Sequence, residues 1–117
     1  MTLPQVGVDI VEIKRVGAQA HNRRFLQRVF TPQEVAYCRS RKHAAQHFAV
    51  RFAAKEAVWK AVGNKKLLHR DIQVWNRPDG KPEVSFPARF KTLGSRISIS
   101  LSHGRDYAVA MAIFQKG

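Results

Sequence analysis

Acidic residues are scarce in this chain: 8 Asp and Glu stand against 21 Lys and Arg, a net charge of +13 with histidines neutral. A field of that sign repels basic partners and draws in anions, so nucleic acid, an anionic membrane surface, an acidic protein or a phosphorylated cofactor all fit it. Cysteine is nearly absent. Cys38 stands alone, which excludes an intrachain disulfide, and no Cys/His spacing suits structural zinc, so a reducing compartment is expected. No apolar run approaches the roughly 18 residues that a membrane span needs. Residues 1–9 lack the basic and apolar regions of a signal peptide, so a cytoplasmic location without membrane association is expected. GxGxxG, a Walker loop, GxSxG and a plausible Cys/His dyad are also missing, which removes most support for hydrolase and nucleotide-kinase chemistry.

What remains is 117 residues with 44% hydrophobic content, enough for one domain with a core. At that size an active site built within one subunit competes with the core for material, which favours oligomerisation. The stretch "VGVDIVEI" (6–13) alternates with period two and predicts a strand carrying Asp9 on the face opposite Val6, Val8 and Ile10. A broken helical segment with a basic outer face follows. "TPQE" (31–34) then offers Thr31 as N-cap, Pro32 at the first helical position and Glu34 as the returning member of a capping box. A long helix runs through "QHFAVRFAAKEAVWKAV" to Gly63 and Asn64. Two hairpins are predicted, one turning at Pro78–Gly80 and one at His103–Asp106. The order implies an α+β fold: a small antiparallel sheet with a long central helix and shorter helices.

Two acids are oddly placed. Asp9 lies within an apolar strand, and Glu56 projects only about 40° round the helix from Phe52, inside the arc expected to face the core. Charges there need compensation, either from lysine or arginine or from a divalent cation such as Mg²⁺, which takes hard oxygen ligands and recruits substrate phosphates. Lys60 lies four residues after Glu56, where it can form a helix ion pair or, with a metal present, grip a phosphate. His103 sits at a hairpin tip, within reach of a ligand or simply solvated. The other histidines, 21, 43, 47 and 69, read as structural or surface.

"GVDIVEI", "RFAAKEAVWKAVG" and "SISLSHGRDYAVAMA", in that order and with "FTPQE" and the "DIQV…GKPEV" hairpin between them, resemble the holo-acyl-carrier-protein synthase family of phosphopantetheinyl transferases over nearly the whole chain. The resemblance implies one phosphopantetheinyl transferase domain over 1–117. It implies transfer of the phosphopantetheine arm of coenzyme A to a serine of an apo acyl carrier protein in support of fatty acid biosynthesis, with Mg²⁺ as cofactor and adenosine 3',5'-bisphosphate released. It places the metal on Asp9 and Glu56, the transferred phosphate on Lys60, and the coenzyme A nucleotide end near His103. A phosphate or subunit contact falls on Arg51, and the acidic carrier protein falls on Lys14, Arg15 and Arg24. Homotrimers with active sites between subunits are implied as well. Glu56, a metal-held water and a substrate oxygen are all open as acceptors of the serine proton. Between Gly63 and Asp71 the chain carries only "NKKLLHR", shorter and less glycine-rich than in many relatives.

Two other readings stand beside this one. A nucleic-acid-binding α+β module suits the charge but leaves Asp9 and Glu56 unexplained and lacks an aromatic cluster on the predicted sheet. A basic adaptor that docks acidic helices without catalysis would differ from the enzyme in having no metal-dependent coenzyme A binding.

Overall fold

The structure, a computed structural model, describes residues 2–116. Strand β1 (Gln5–Glu12) is followed by helices α1 (Ile13–Gln19), α2 (Arg23–Val29), α3 (Pro32–Ser40) and α4 (Ala44–Val62). A 3₁₀ turn (His69–Asp71) leads into strands β2 (Gln73–Asn76) and β3 (Pro82–Ser85). A 3₁₀ segment (Ala88–Arg96), kinked at Phe90, then leads to β4 (Ile97–His103) and β5 (Tyr107–Phe114). The α+β expectation holds, with the strands divided between an antiparallel sheet ordered β1-β5-β4 and the separate β2-β3 ribbon.

Local chemistry explains most boundaries. The Thr31 hydroxyl accepts from Glu34 N at 3.2 Å while Glu34 Oε1 accepts from Thr31 N at 2.8 Å, closing the capping box that starts α3. Gly63, at φ 69°, ends α4 in the left-handed conformation that glycine adopts without strain. β5 lies between β1 and β4, pairing Asp9 with Ala110 on one side and Leu101 with Ala110 on the other.

α4 packs on one face of the three-stranded sheet through small residues: Ala53, Ala54, Ala57, Val58 and Ala61 are all buried. The sequence puts Phe52 and Glu56 on the arc expected to face the core, but the inner stripe lies elsewhere. Alanine fills it instead, and Phe52, Glu56 and Trp59 lie on a flank. Gly7 explains the choice: a Cβ built there would stand 1.9 Å from Ala57 O and 2.8 Å from Ala61 N, so backbone meets backbone where β1 crosses α4. Gly7→Ala is expected to cost about 1–3 kcal/mol, as overpacking does, because the obstructing atoms are main chain and cannot rotate away. Urea denaturation measures it, and a loss below about 0.5 kcal/mol, the scatter of ordinary surface changes, would mean that the strand is free to back off.

The inward face of β1 carries Gly7, Asp9 and Val11, so its alternate face turns outward. Val6, Val8 and Ile10 are 60, 56 and 65% exposed, and Tyr107, Met111 and Ile113 of neighbouring β5 are exposed as well. The sheet therefore presents an apolar outer face, with α4 covering the other.

Candidate active site

Asp9 and Lys60 meet where β1 crosses the C-terminal half of α4. Lys60 Nζ donates to Asp9 Oδ1 at 3.0 Å and to Val8 O at 3.0 Å. The carboxylate is largely covered and the lysine half exposed, with side-chain exposures of 16 and 47%. The helix ion pair considered from sequence is therefore not the one formed: Lys60 crosses to the strand. Glu56, one turn earlier on the same helix, has its Oε1 3.1 Å from His69 Nε2. The two acids flank one stretch of α4, and each faces a nitrogen of this chain.

His69 is held firmly. Its ring stacks on Phe52 (centroids 6.4 Å apart, planes at 15°) and on Trp59 (6.0 Å, 24°). Trp59 Nε1 donates to Leu67 O at 3.1 Å, Asp71 Oδ2 accepts from Leu68 N at 2.9 Å, and Arg89 Nη2 donates to both Asp71 oxygens at 2.8 Å. Beneath the turn, Lys55 Nζ donates to His69 O at 3.0 Å and also to Ile72 O. Lys55 is fully buried, and its charge is met by Glu34 Oε1 at 2.7 Å. Burial pushes the Lys55 ammonium below the usual lysine range, and the Glu34 carboxylate pushes it back up. Glu34 Oε2 accepts from Val74 N at 2.8 Å, so one carboxylate ties α3, α4 and β2 together.

Sequence reasoning missed Lys55 and His69. Lys55 is one of 21 basic residues and adjoins Glu56, so nothing local marks it as buried. Only the coincidence of Phe52 and Trp59 one turn either side of Glu56 hinted that another flat ring would be clasped there.

The other candidates fall elsewhere. Arg51 is buried, its guanidinium 4.2 Å from the Tyr37 ring centroid and Nη2 donating to Asn76 Oδ1 at 2.7 Å, while its Nε has no partner. It braces α3 and β2 in this chain. His103 ends β4 and accepts from Gln46 Nε2 at 3.1 Å, which puts the proton of a neutral ring on Nδ1. Gln46 is ten positions before Glu56, about 15 Å along the helix at ~1.5 Å per residue, so one copy does not unite His103 with the acids. Around His103 the start of α4 is cationic through Arg41: its first turn has no acid, and the His43 and His47 rings lie close by. Burial pushes His47 below the usual histidine range, and Arg51, Arg41, His103 and His43 push the same way. Lys14, Arg15 and Arg24 are exposed on α1 and α2. Of the three, Arg24 lines a shallow groove of about 520 Å³, with Ala18, Gln19, Asn22, Phe25 and Arg28.

Chemically, the site offers the Asp9 carboxylate paired with Lys60 and, one turn earlier on α4, the Glu56 carboxylate facing His69. Among the described residues no group of three or more His, Cys, Asp and Glu forms a metal cage. An all-oxygen pair fits a hard cation that takes one or two carboxylates and completes its shell with water and substrate phosphates. Nucleophilic catalysis by cysteine has no support, since Cys38 is buried and its thiol is pushed up to about 11 by that burial. No helix among the described residues is long and apolar enough to cross a membrane.

Residues 5–112 match the 4'-phosphopantetheinyl transferase superfamily. A holo-[acyl-carrier-protein] synthase of Chlamydia felis is 41% identical over 120 residues, covering 97% of this chain and 98% of that protein. One of Dehalococcoides mccartyi is 46% identical over 117 residues, covering 93 and 96%. Among solved structures, the Neisseria meningitidis holo-[acyl-carrier-protein] synthase superposes with a TM-score of 0.83 at 30% identity over 96% of this chain and 98% of its own. The Bacillus anthracis enzyme in complex with CoA (3',5'-ADP) gives 0.79 at 31% over 94% of each. With motif order, fold and near-complete coverage in agreement, the chain belongs to the 4'-phosphopantetheinyl transferase superfamily, among the holo-acyl-carrier-protein synthases.

Proposed function

We propose that this chain, as one domain over residues 1–117, moves the 4'-phosphopantetheine arm of coenzyme A onto a serine of an acidic apo acyl carrier protein. It does so in a cytoplasmic homotrimer with Mg²⁺ as cofactor, in support of fatty acid biosynthesis. The observation that carries this reading is a family scaffold on which Asp9 pairs with Lys60 of α4 while Glu56 lies one turn earlier on the same helix. In the reaction, the serine oxygen forms a bond to the phosphorus that bears pantetheine. The bond from that phosphorus to the bridging oxygen breaks, adenosine 3',5'-bisphosphate leaves with the electron pair, and the serine proton passes to Glu56, a water or a substrate oxygen.

Asp9 and Glu56 are the residues that would hold Mg²⁺, and the chemistry it would supply there is charge neutralisation of the pyrophosphate. Lys60 already reaches a carboxylate oxygen from a half-exposed position, so it can exchange Asp9 for a phosphate oxygen and meet the charge that grows in the transition state. The cationic start of α4 around His103 suits the nucleotide phosphates. The exposed Lys14, Arg15 and Arg24, the last lining the groove at Phe25, suit an acidic helix of the carrier.

The trimer draws support from the apolar outer face of the sheet, which one copy leaves in water, and from the separation of His103 from the acids within that copy. His103 of a neighbouring copy then completes the site. Ile10→Asp, on the β1 side of the face, is expected to give monomers by light scattering and to abolish most turnover. A wild-type chain that scatters as a fully active monomer would sink the assembly. Mass spectrometry of an apo acyl carrier protein incubated with this chain, coenzyme A and Mg²⁺ tests the reaction itself: the expected result is one added phosphopantetheine per carrier, and an unmodified carrier overturns the reading.

A further inference from the structure

A histidine between two aromatic rings needs a reason, because phenylalanine would stack as well without a polar atom. His69 Nε2 is buried, and although it lies 3.1 Å from Glu56 Oε1 it is out of line for a hydrogen bond and has no other partner. An orphaned nitrogen in that position costs stability unless something uses it. The stacks on Phe52 and Trp59 fix the ring plane, and the donation from Lys55 Nζ to His69 O fixes the backbone that carries it. Freedom is left mainly to the Glu56 carboxylate, which is 26% exposed.

We propose that His69 is a positioning residue for Glu56: its Nε2–H takes Oε1 when the carboxylate turns to its working orientation, leaving Oε2 to face Asp9 and the phosphates. The inference rests on the proposed metal role of Glu56 and deepens it. A hydrogen bond from outside the ligand set narrows the rotamers of a ligating carboxylate, and losing such a partner typically weakens metal binding about 10–100-fold. Because the ring touches no reacting atom, its loss shows first in metal affinity, not in the chemical step at saturation.

Three variants separate the roles of the ring. His69→Phe keeps the stack and removes the nitrogen, His69→Gln restores an N–H, and His69→Ala removes both ring and donor. Calorimetric titration of Mg²⁺ into the protein with coenzyme A and no carrier is expected to show affinity about tenfold weaker in His69→Phe, partly regained in His69→Gln. Half-saturating Mg²⁺ for turnover should rise by the same factor while kcat at saturation stays within about twofold of wild type. The metal-free melting temperature of His69→Phe should equal or exceed that of wild type, because the orphaned nitrogen is gone, and only His69→Ala should lose stability. Unchanged Mg²⁺ affinity in His69→Phe overturns the positioning role while leaving the metal reading intact, as does a His69→Gln variant no better than His69→Phe. A wild-type protein whose coenzyme A binding ignores Mg²⁺ overturns both.

Discussion

Glu56→Gln is expected to fold normally and lose turnover by about a hundredfold or more. A bound cation supplies several kcal/mol of charge stabilisation, and each ~1.36 kcal/mol is tenfold in rate. The substitution keeps the shape and a hydrogen-bonding oxygen but removes the charge that holds the metal, so the Mg²⁺ requirement should rise together with the fall in rate. Lys60→Ala should separate the two quantities. Metal binding in the presence of coenzyme A largely persists, since the acids remain, while kcat falls because the lysine acts mainly on charge developed in the transition state. If Glu56 and Lys60 only anchored the fold, both variants would transfer at near wild-type rates and differ only in melting temperature, because exposed pairs contribute little. Turnover followed against Mg²⁺ concentration for both proteins decides the matter, and near-normal activity in Glu56→Gln ends the metal-site reading.

Removing Glu34 should be the most damaging single change to stability. In Glu34→Ala the Lys55 ammonium stays fully buried with two backbone carbonyls as its remaining partners, and Thr31 N and Val74 N lose their acceptor. Breaking a buried pair from one side costs about 3–5 kcal/mol, on the order of 10–20 °C in melting temperature for a domain of this size. The double variant Glu34→Leu with Lys55→Met should recover much of the loss, because two well-packed apolar side chains need no compensation. Calorimetric melting of both proteins is the measurement, and a Glu34→Ala shift under about 3 °C, less than 1 kcal/mol, would show that Lys55 finds water or another anion.

Glu34 also shows where sequence reading stops. Its local half was legible, because a capping box is written within four residues and closed as expected. Its other oxygen reaches Val74 N and its charge reaches Lys55, partners that only the packed chain brings near. The same divide runs through the fold. Helix stops at glycine and hairpin turns are encoded nearby and emerged at the expected residues. The insertion of β5 between β1 and β4 and the two 3₁₀ segments depend on distant pairing and went unread. Asp9 and Glu56 stood out because acids are few and these two interrupt apolar patterns. Lys55 and His69 did not, the first hidden among many cations and the second read only as structural or surface.

The close crossing at Gly7 bears on how such a site can change over generations. Asp9 sits two residues beyond a contact in which strand backbone touches helix backbone, bordered by Ala57 and Ala61. Residues without reactive atoms thus set the reach of the reactive ones. A lineage altering substrate preference can trade charges on α1, α2 or at the exposed Lys65 and Lys66 at little structural risk, but enlarging any methyl at the crossing would shift Asp9 relative to Glu56. Mutational drift around this centre should therefore be slowest at its smallest, chemically silent positions, and a tally of tolerated substitutions would rank Gly7 and Ala57 alongside the acids they hold in place.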